Sequence, residues 1–214
     1  MDNLTEQHIF VRGNMLLPPL VLLHGTGGDE RDLMEIGRFF GHENPILSIR
    51  GRVDEGGYAR YFERFGMGEF NLESLHEETA WLVDQVQALL KHYGAREDAI
   101  VIGYSNGANI ASHAFLTRPD LAWQGGIFLH PMTIELIDHP VQMSDKWFIM
   151  SYGFHDPIVT EEDFDQLMNN FRMTDATLRT VDVHAGHELG MEELIAASNV
   201  ANELGKLDGG VPEK

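Results

Sequence analysis

Residues 99–103, Ala-Ile-Val-Ile-Gly, run straight into a helix-forming stretch at 107–116, with only Tyr104, Ser105 and Asn106 between them. A short continuous apolar run is the pattern of a strand buried on both faces. A strand that passes at once into a helix belongs to a parallel sheet covered by helices. The alternation recurs along the chain. Leu20–Leu23 ends at His24-Gly25, residues 32–40 carry Leu33, Ile36 and Phe40 at helical spacing, and 45–49 form a second strand. Ser74-x-x-Glu77 reads as a capping box that opens a long helix with Leu75, Leu82, Val86, Leu89 and Tyr93 on one face. Residues 126–129, 147–152 and Thr177–Val183 are three further strands, with helices after Thr160 and from about Leu189. His8–Val11 adds an antiparallel strand at the start. The expectation is an α/β chain with a mostly parallel sheet and helices on both faces. With no repeat and no low-complexity linker, it forms one domain over 1–204, followed by a loose tail at 205–214.

In such a sheet, sites form at the carboxyl ends of the strands, and the chemistry-bearing residues fall there. Gly103-Tyr104-Ser105-Asn106-Gly107 has the form G-x-S-x-G. A turn so tight exposes a strained serine at a helix N-terminus and leaves room only for small flanking residues. His24-Gly25-Thr26-Gly27-Gly28 follows the first long strand. Its glycines let a backbone N–H approach a substrate carbonyl; Thr26 is the expected donor, with Gly27 as the alternative, and the Asn106 amide is the second. The stretch does not read as a phosphate loop, because no Lys-Ser/Thr follows the glycines.

A nucleophilic serine needs a base, and the base an orienting carboxylate. Asp156 stands 51 residues after Ser105, directly beyond the strand at 147–152. His187 stands 31 residues further on, beyond Thr177–Val183. His184 is the rival base. His155 and Asp182 are expected in loop or structural roles; His24 and His130 are placed to touch the site, with loop packing the commoner role for each. Four arginines, Arg50, Arg52, Arg60 and Arg64, share residues 50–70 with Tyr58, Tyr61, Phe62 and Phe65. Arg52 or Arg60 is a candidate to hold an anionic group on a substrate, with Tyr104 beside the serine as a further substrate contact; the alternative is that these arginines pair within an acidic surface.

Composition narrows the partners. The formal net charge is −19, which repels nucleic acid and anionic lipid. No apolar run reaches the ~18–20 residues that cross a bilayer, and residues 1–10 lack the pattern of a signal peptide. Cysteine is absent, which excludes disulfides and a thiol nucleophile and suits a cytoplasmic protein. The 11 histidines show no ligand spacing beyond the pair His184 and His187, so no metal and no cofactor are expected. The expected partner is a small-molecule substrate, with neither nucleic acid nor membrane insertion; a homodimer is compatible with this reading.

Taken with Ile49-Arg50-Gly51-Arg52, Asp156-Pro157-Ile158-Val159 and Gly186-His187-Glu188, the two glycine motifs resemble the small bacterial carboxylesterase/phospholipase-type α/β-hydrolases. These are relatives of the acyl-protein thioesterases, and the likeness runs from about residue 19 to residue 200. It is strongest to a branch associated with quinone or copper stress. The resemblance implies an α/β-hydrolase fold, a Ser105–Asp156–His187 triad, an oxyanion hole at Thr26 and Asn106, and carboxylesterase activity. Only 17 residues, 130–146, separate two strands where a cap would be inserted, so no large cap domain is expected. With no basic amphipathic anchor in so acidic a chain, small soluble esters are the expected substrates. Acyl-thioesterase or lysophospholipase action on longer chains is the alternative, and a non-catalytic binding or sensor protein on the same fold is a third reading.

Overall fold

The computed structural model describes residues 4–66 and 68–207. Seven strands form one sheet in the order β1-β3-β2-β8-β9-β10-β11. Its members are β1 (His8–Val11), β2 (Leu20–Leu23), β3 (Ile46–Ile49), β8 (Ile100–Tyr104), β9 (Gly125–Leu129), β10 (Trp147–Gly153) and β11 (Thr177–Val183). Only the β1–β3 pairing is antiparallel. Side chains alternate across the sheet, so each strand feeds two cores. Val21 and Leu23 pack with α2 (Leu72–Tyr93), α3 (Asn106–Thr117) and α4 (Glu161–Arg172). Leu20 and Leu22 pack with α1 (Met34–Phe40) and α5 (Met191–Glu203) on the opposite face. The described residues form a single α/β domain with no large cap: residues 130–146 join β9 to β10 without a helix.

Two details depart from the sequence reading. Ser74 is not the cap of α2. The helix starts one turn earlier, at Leu72, because Asn71 takes extended backbone angles and accepts from the Ser74 N–H at 3.2 Å. The arginine-rich stretch folds into two hairpins, β4 (Val53–Glu55) with β5 (Tyr58–Arg60) and β6 (Arg64–Gly66) with β7 (Glu69–Phe70). Gly56 and Gly57 turn the first at positive φ.

At the C-terminus, the Gly205 and Lys206 N–H groups bond back to Asn202 and Ala201, and Leu207 is buried against the α5 face. Residues 208–214 of the expected tail lie outside the described residues.

Candidate active site

β8 delivers Ser105 to the carboxyl edge of the sheet, and α3 begins at the next residue. Ser105 has φ 49° and ψ −114°, a conformation that costs a non-glycine residue on the order of 1–3 kcal/mol. Backbone bonds on both sides hold it: Ser105 N–H donates to Leu129 O, and Ser105 O accepts from Asn109 N–H, each at 2.9 Å. The flanking glycines are steric requirements. A Cβ on Gly103 would lie 2.7 Å from the Ala108 backbone, and one on Gly107 would collide with the Leu23 carbonyl.

Ser105 Oγ lies 2.9 Å from His187 Nε2, and His187 Nδ1 lies 2.7 Å from Asp156 Oδ2. With the hydroxyl donating to Nε2, the imidazole carries its proton on Nδ1 and donates it to Asp156. The Asp156 side chain is fully buried. Burial alone would raise its pKa. The Val159 N–H, the His187 ring and the Ile158 N–H outweigh that and hold the carboxyl below its ordinary value. Tyr104 OH donates to His187 O at 2.9 Å, and its ring lies beside the imidazole, so Tyr104 lines the cleft and also steadies His187. The rivals fall elsewhere: His184, His155 and Asp182 are exposed, and Phe154 and His155 are the ring neighbours of His184.

A second histidine reaches the same carboxylate. His130, fully buried at φ 51°, places Nδ1 2.9 Å from Asp156 Oδ2 and Nε2 3.3 Å from Glu193 Oε2. Burial would lower the His130 pKa, but Glu193 and Asp156 together raise it above the ordinary value. The sequence alone offers His130 both a contact with the site and a packing role, and favours packing. Its place directly beyond β9, at the same sheet edge as Ser105, was the available signal; Glu193, inside the first turn of α5, carried none.

The loop at 24–28 is held by named bonds. Gly51 N–H donates to His24 Nε2 at 3.0 Å while His24 Nδ1–H donates to Gly25 O, so His24 is a neutral scaffold residue, its pKa lowered by burial. Gly27 N–H donates to Ala59 O at 2.9 Å, and Gly28 N–H to Gly25 O at 3.1 Å. The alternative oxyanion donor, Gly27, is therefore already engaged. Among the described residues, the Thr26 amide donates to no backbone carbonyl, and Asn106 stands at the start of α3, where its N–H has no intrahelical acceptor.

Thr26, Ser105, Asn106 and His187 open into a cleft of about 530 Å³ whose walls include Arg60, Tyr104, Met132 and Ile158. Arg60 is 2% exposed, and burial lowers its pKa. Its Nη1 donates to Thr26 Oγ1 at 2.8 Å and its Nε to Phe62 O at 3.1 Å, with Glu55 3.6 Å from Nη1. Arg52 is not brought to the cleft. Glu78 accepts from both its Nε and Nη2, at 2.7 and 3.0 Å, and its guanidinium lies over Trp81. Of the two candidate anion holders, the structure therefore leaves Arg60 at the site.

No family model matches the chain. It is 36% identical over 195 residues to a protein of Bacillus subtilis (strain 168) named as the hydrolase MhqD, covering 87% of this chain and 93% of that protein. Among solved structures, YahD with malic acid is 40% identical at a TM-score of 0.88, covering 92% of this chain and 98% of that one. The Bacillus cereus carboxylesterase is 31% identical at a TM-score of 0.88, covering 92% and 93%. Among the described residues, no helix is long and apolar enough to cross a membrane.

Proposed function

Because the chain belongs to the carboxylesterase-type α/β-hydrolases related to the acyl-protein thioesterases, and is a carboxylic-ester hydrolase, we propose that Ser105 attacks the acyl carbon of a small soluble ester with His187 as its base. The observation that carries this reading is the line Ser105 Oγ–His187 Nε2–Asp156 Oδ2, at 2.9 and 2.7 Å. His187 takes the hydroxyl proton as the serine oxygen bonds to carbon. Asp156 fixes the imidazole tautomer and stabilises the imidazolium. The Thr26 and Asn106 amides receive the oxyanion. His187 then returns the proton to the departing alcohol, activates a water against the acyl-enzyme, and the free acid leaves. No step calls on a cofactor.

The substrate reading follows from the cleft. About 530 Å³ is the size of a small-molecule site. Arg60 supplies a buried cation on its wall, with Nη1 donating to Thr26 Oγ1 and Nε to Phe62 O. A short ester that carries a carboxylate complements both. YahD, 40% identical, has been solved with malic acid, a small dicarboxylic acid, which favours the same chemistry.

Fluorophosphonate labelling tests the mechanism. One equivalent bound by the wild type and none by Ser105→Ala is the expected result. Folded wild-type protein that takes no label would reject the serine mechanism. An ester panel of increasing acyl length, read as kcat/KM, should fall beyond short chains; a rise with length would favour thioesterase or lysophospholipase action.

A further inference from the structure

Away from Ser105, α2 and α3 pack side by side, and three side chains from three separate elements converge beside them: His76 of α2, His113 of α3, and Glu135 of the segment joining β9 to β10. One donor atom from each lies within 4.8 Å of the other two. We propose that His76, His113 and Glu135 form a binding site for one divalent transition cation of the zinc class.

The donor set, two imidazoles and a carboxylate, is one that Zn²⁺ favours. Tetrahedral zinc with bonds of about 2.0–2.2 Å sets its ligand atoms roughly 3.3 Å apart. His113 Nε2 and Glu135 Oε2 already stand at 3.3 Å. His76 Nε2 and the same oxygen are closer, at 2.6 Å, as a hydrogen bond requires. His76 has the freedom to open that spacing, because its side chain is 57% exposed.

His113 supplies the independent observation. It is 6% exposed, and its Nε2 has no hydrogen-bond partner, since Glu135 lies at a suitable distance but outside bonding geometry. A buried ring nitrogen left without a partner is uncommon and unfavourable. An ordinary His–Glu pair accounts for His76 and Glu135 but leaves this nitrogen unexplained, whereas a cation at the centre of the three atoms satisfies it. The other face of the ring is already oriented: His113 Nδ1 lies 2.7 Å from Oγ1 of the buried Thr79, the kind of outer partner that fixes the tautomer of a metal-binding histidine. With three protein ligands, the open side at His76 leaves a position for water.

The placement suggests what the ion would do. Met132, Thr133 and Ile134 wall the cleft beside Ser105, and Glu135 is the next residue. A cation there would tie that wall to α2 and α3 without touching the reacting atoms.

The test is competition for Zn²⁺ between chelator-stripped full-length protein and a chromophoric chelator. The expected result is one equivalent bound with a micromolar or tighter Kd, weakened at least tenfold in both His76→Ala and Glu135→Gln. These two variants alter partly or largely exposed side chains and should remain folded by circular dichroism. Co²⁺ in place of Zn²⁺ should give a tetrahedral visible spectrum that both variants lose. Wild-type protein that binds no Zn²⁺ would overturn the proposal. So would binding that survives in both variants, or binding lost only in His187→Ala, which would move the ion to the serine site.

Discussion

Asp156 Oδ2 faces two histidine nitrogens, and the second histidine is held between two carboxylates. This arrangement favours the charged form of His130 and links it to pH. Its folded pKa is raised, so its contribution to stability is complete below the unfolded value of about 6.5 and is lost as pH rises through the folded value. Asp156 runs the other way: its folded pKa is lowered, so its contribution is present above about 3.9 and is lost as pH falls through the folded value. Glu193→Gln removes one of the two charges that raise His130. The variant should be less stable by on the order of 2 kcal/mol below pH 6.5, with the deficit shrinking toward alkaline pH. Urea unfolding from pH 5.5 to 9 reads the gap, and a gap that stays constant would mean the pair is not linked to protons. Backbone strain at Ser105 gives a second outcome. Ser105→Ala keeps a side chain at φ 49°, whereas Ser105→Gly relieves it. Both should lose turnover by about 10³-fold or more, yet the glycine variant should unfold about 1 kcal/mol harder than the alanine one.

At the scale of elements, α2 is capped by Asn71, not Ser74. Asn71→Ala should destabilise the protein by about 1 kcal/mol in denaturant unfolding; a cost near zero would return the cap to Ser74. The mistaken cap shows where local pattern runs out. Ser74-x-x-Glu77 satisfies the sequence rule, but an asparagine three residues earlier meets the same need first, and Ser74 Oγ instead accepts from Glu63 N–H. The strands were legible because β2, β8 and β10 are buried on both faces and read as unbroken apolar runs. The positions of Ser105 and Asp156 were legible because each stands just beyond such a strand, and that of His187 because it follows β11, a strand with one exposed face. The hairpins at 53–70 were not, since their short strands carry no clean alternation and Gly27 N–H to Ala59 O, a contact distant in sequence, helps to hold the first. His76, His113 and Glu135 lay hidden for a related reason. They are 37 and 22 residues apart on different elements, so no motif spacing could join them.

For the whole molecule, the net charge of −19 and the cation at Arg60 act on an anionic substrate with opposite sign and at different range. The surface charges lie in water, where the Debye length is about 30 Å at 0.01 M salt and about 8 Å at 0.15 M, so salt removes most of their repulsion. Arg60 is 2% exposed and lies on the cleft wall, where a bound carboxylate would meet it at contact distance and salt would weaken the attraction far less. The two effects therefore separate with ionic strength. For a short ester bearing a free carboxylate, kcat/KM should rise about two- to fivefold between 0.01 and 0.15 M salt, while a neutral ester of the same size stays flat. Arg60→Gln should lower the acid-bearing ester about tenfold or more at every salt concentration and the neutral one much less, because only the former loses a charge-assisted hydrogen bond. A fall in kcat/KM with salt for the acid-bearing ester would mean that the cleft, not the surface, sets the long-range field. An equal loss on both esters in Arg60→Gln would mean that Arg60 serves the hairpin and the 24–28 loop rather than the substrate.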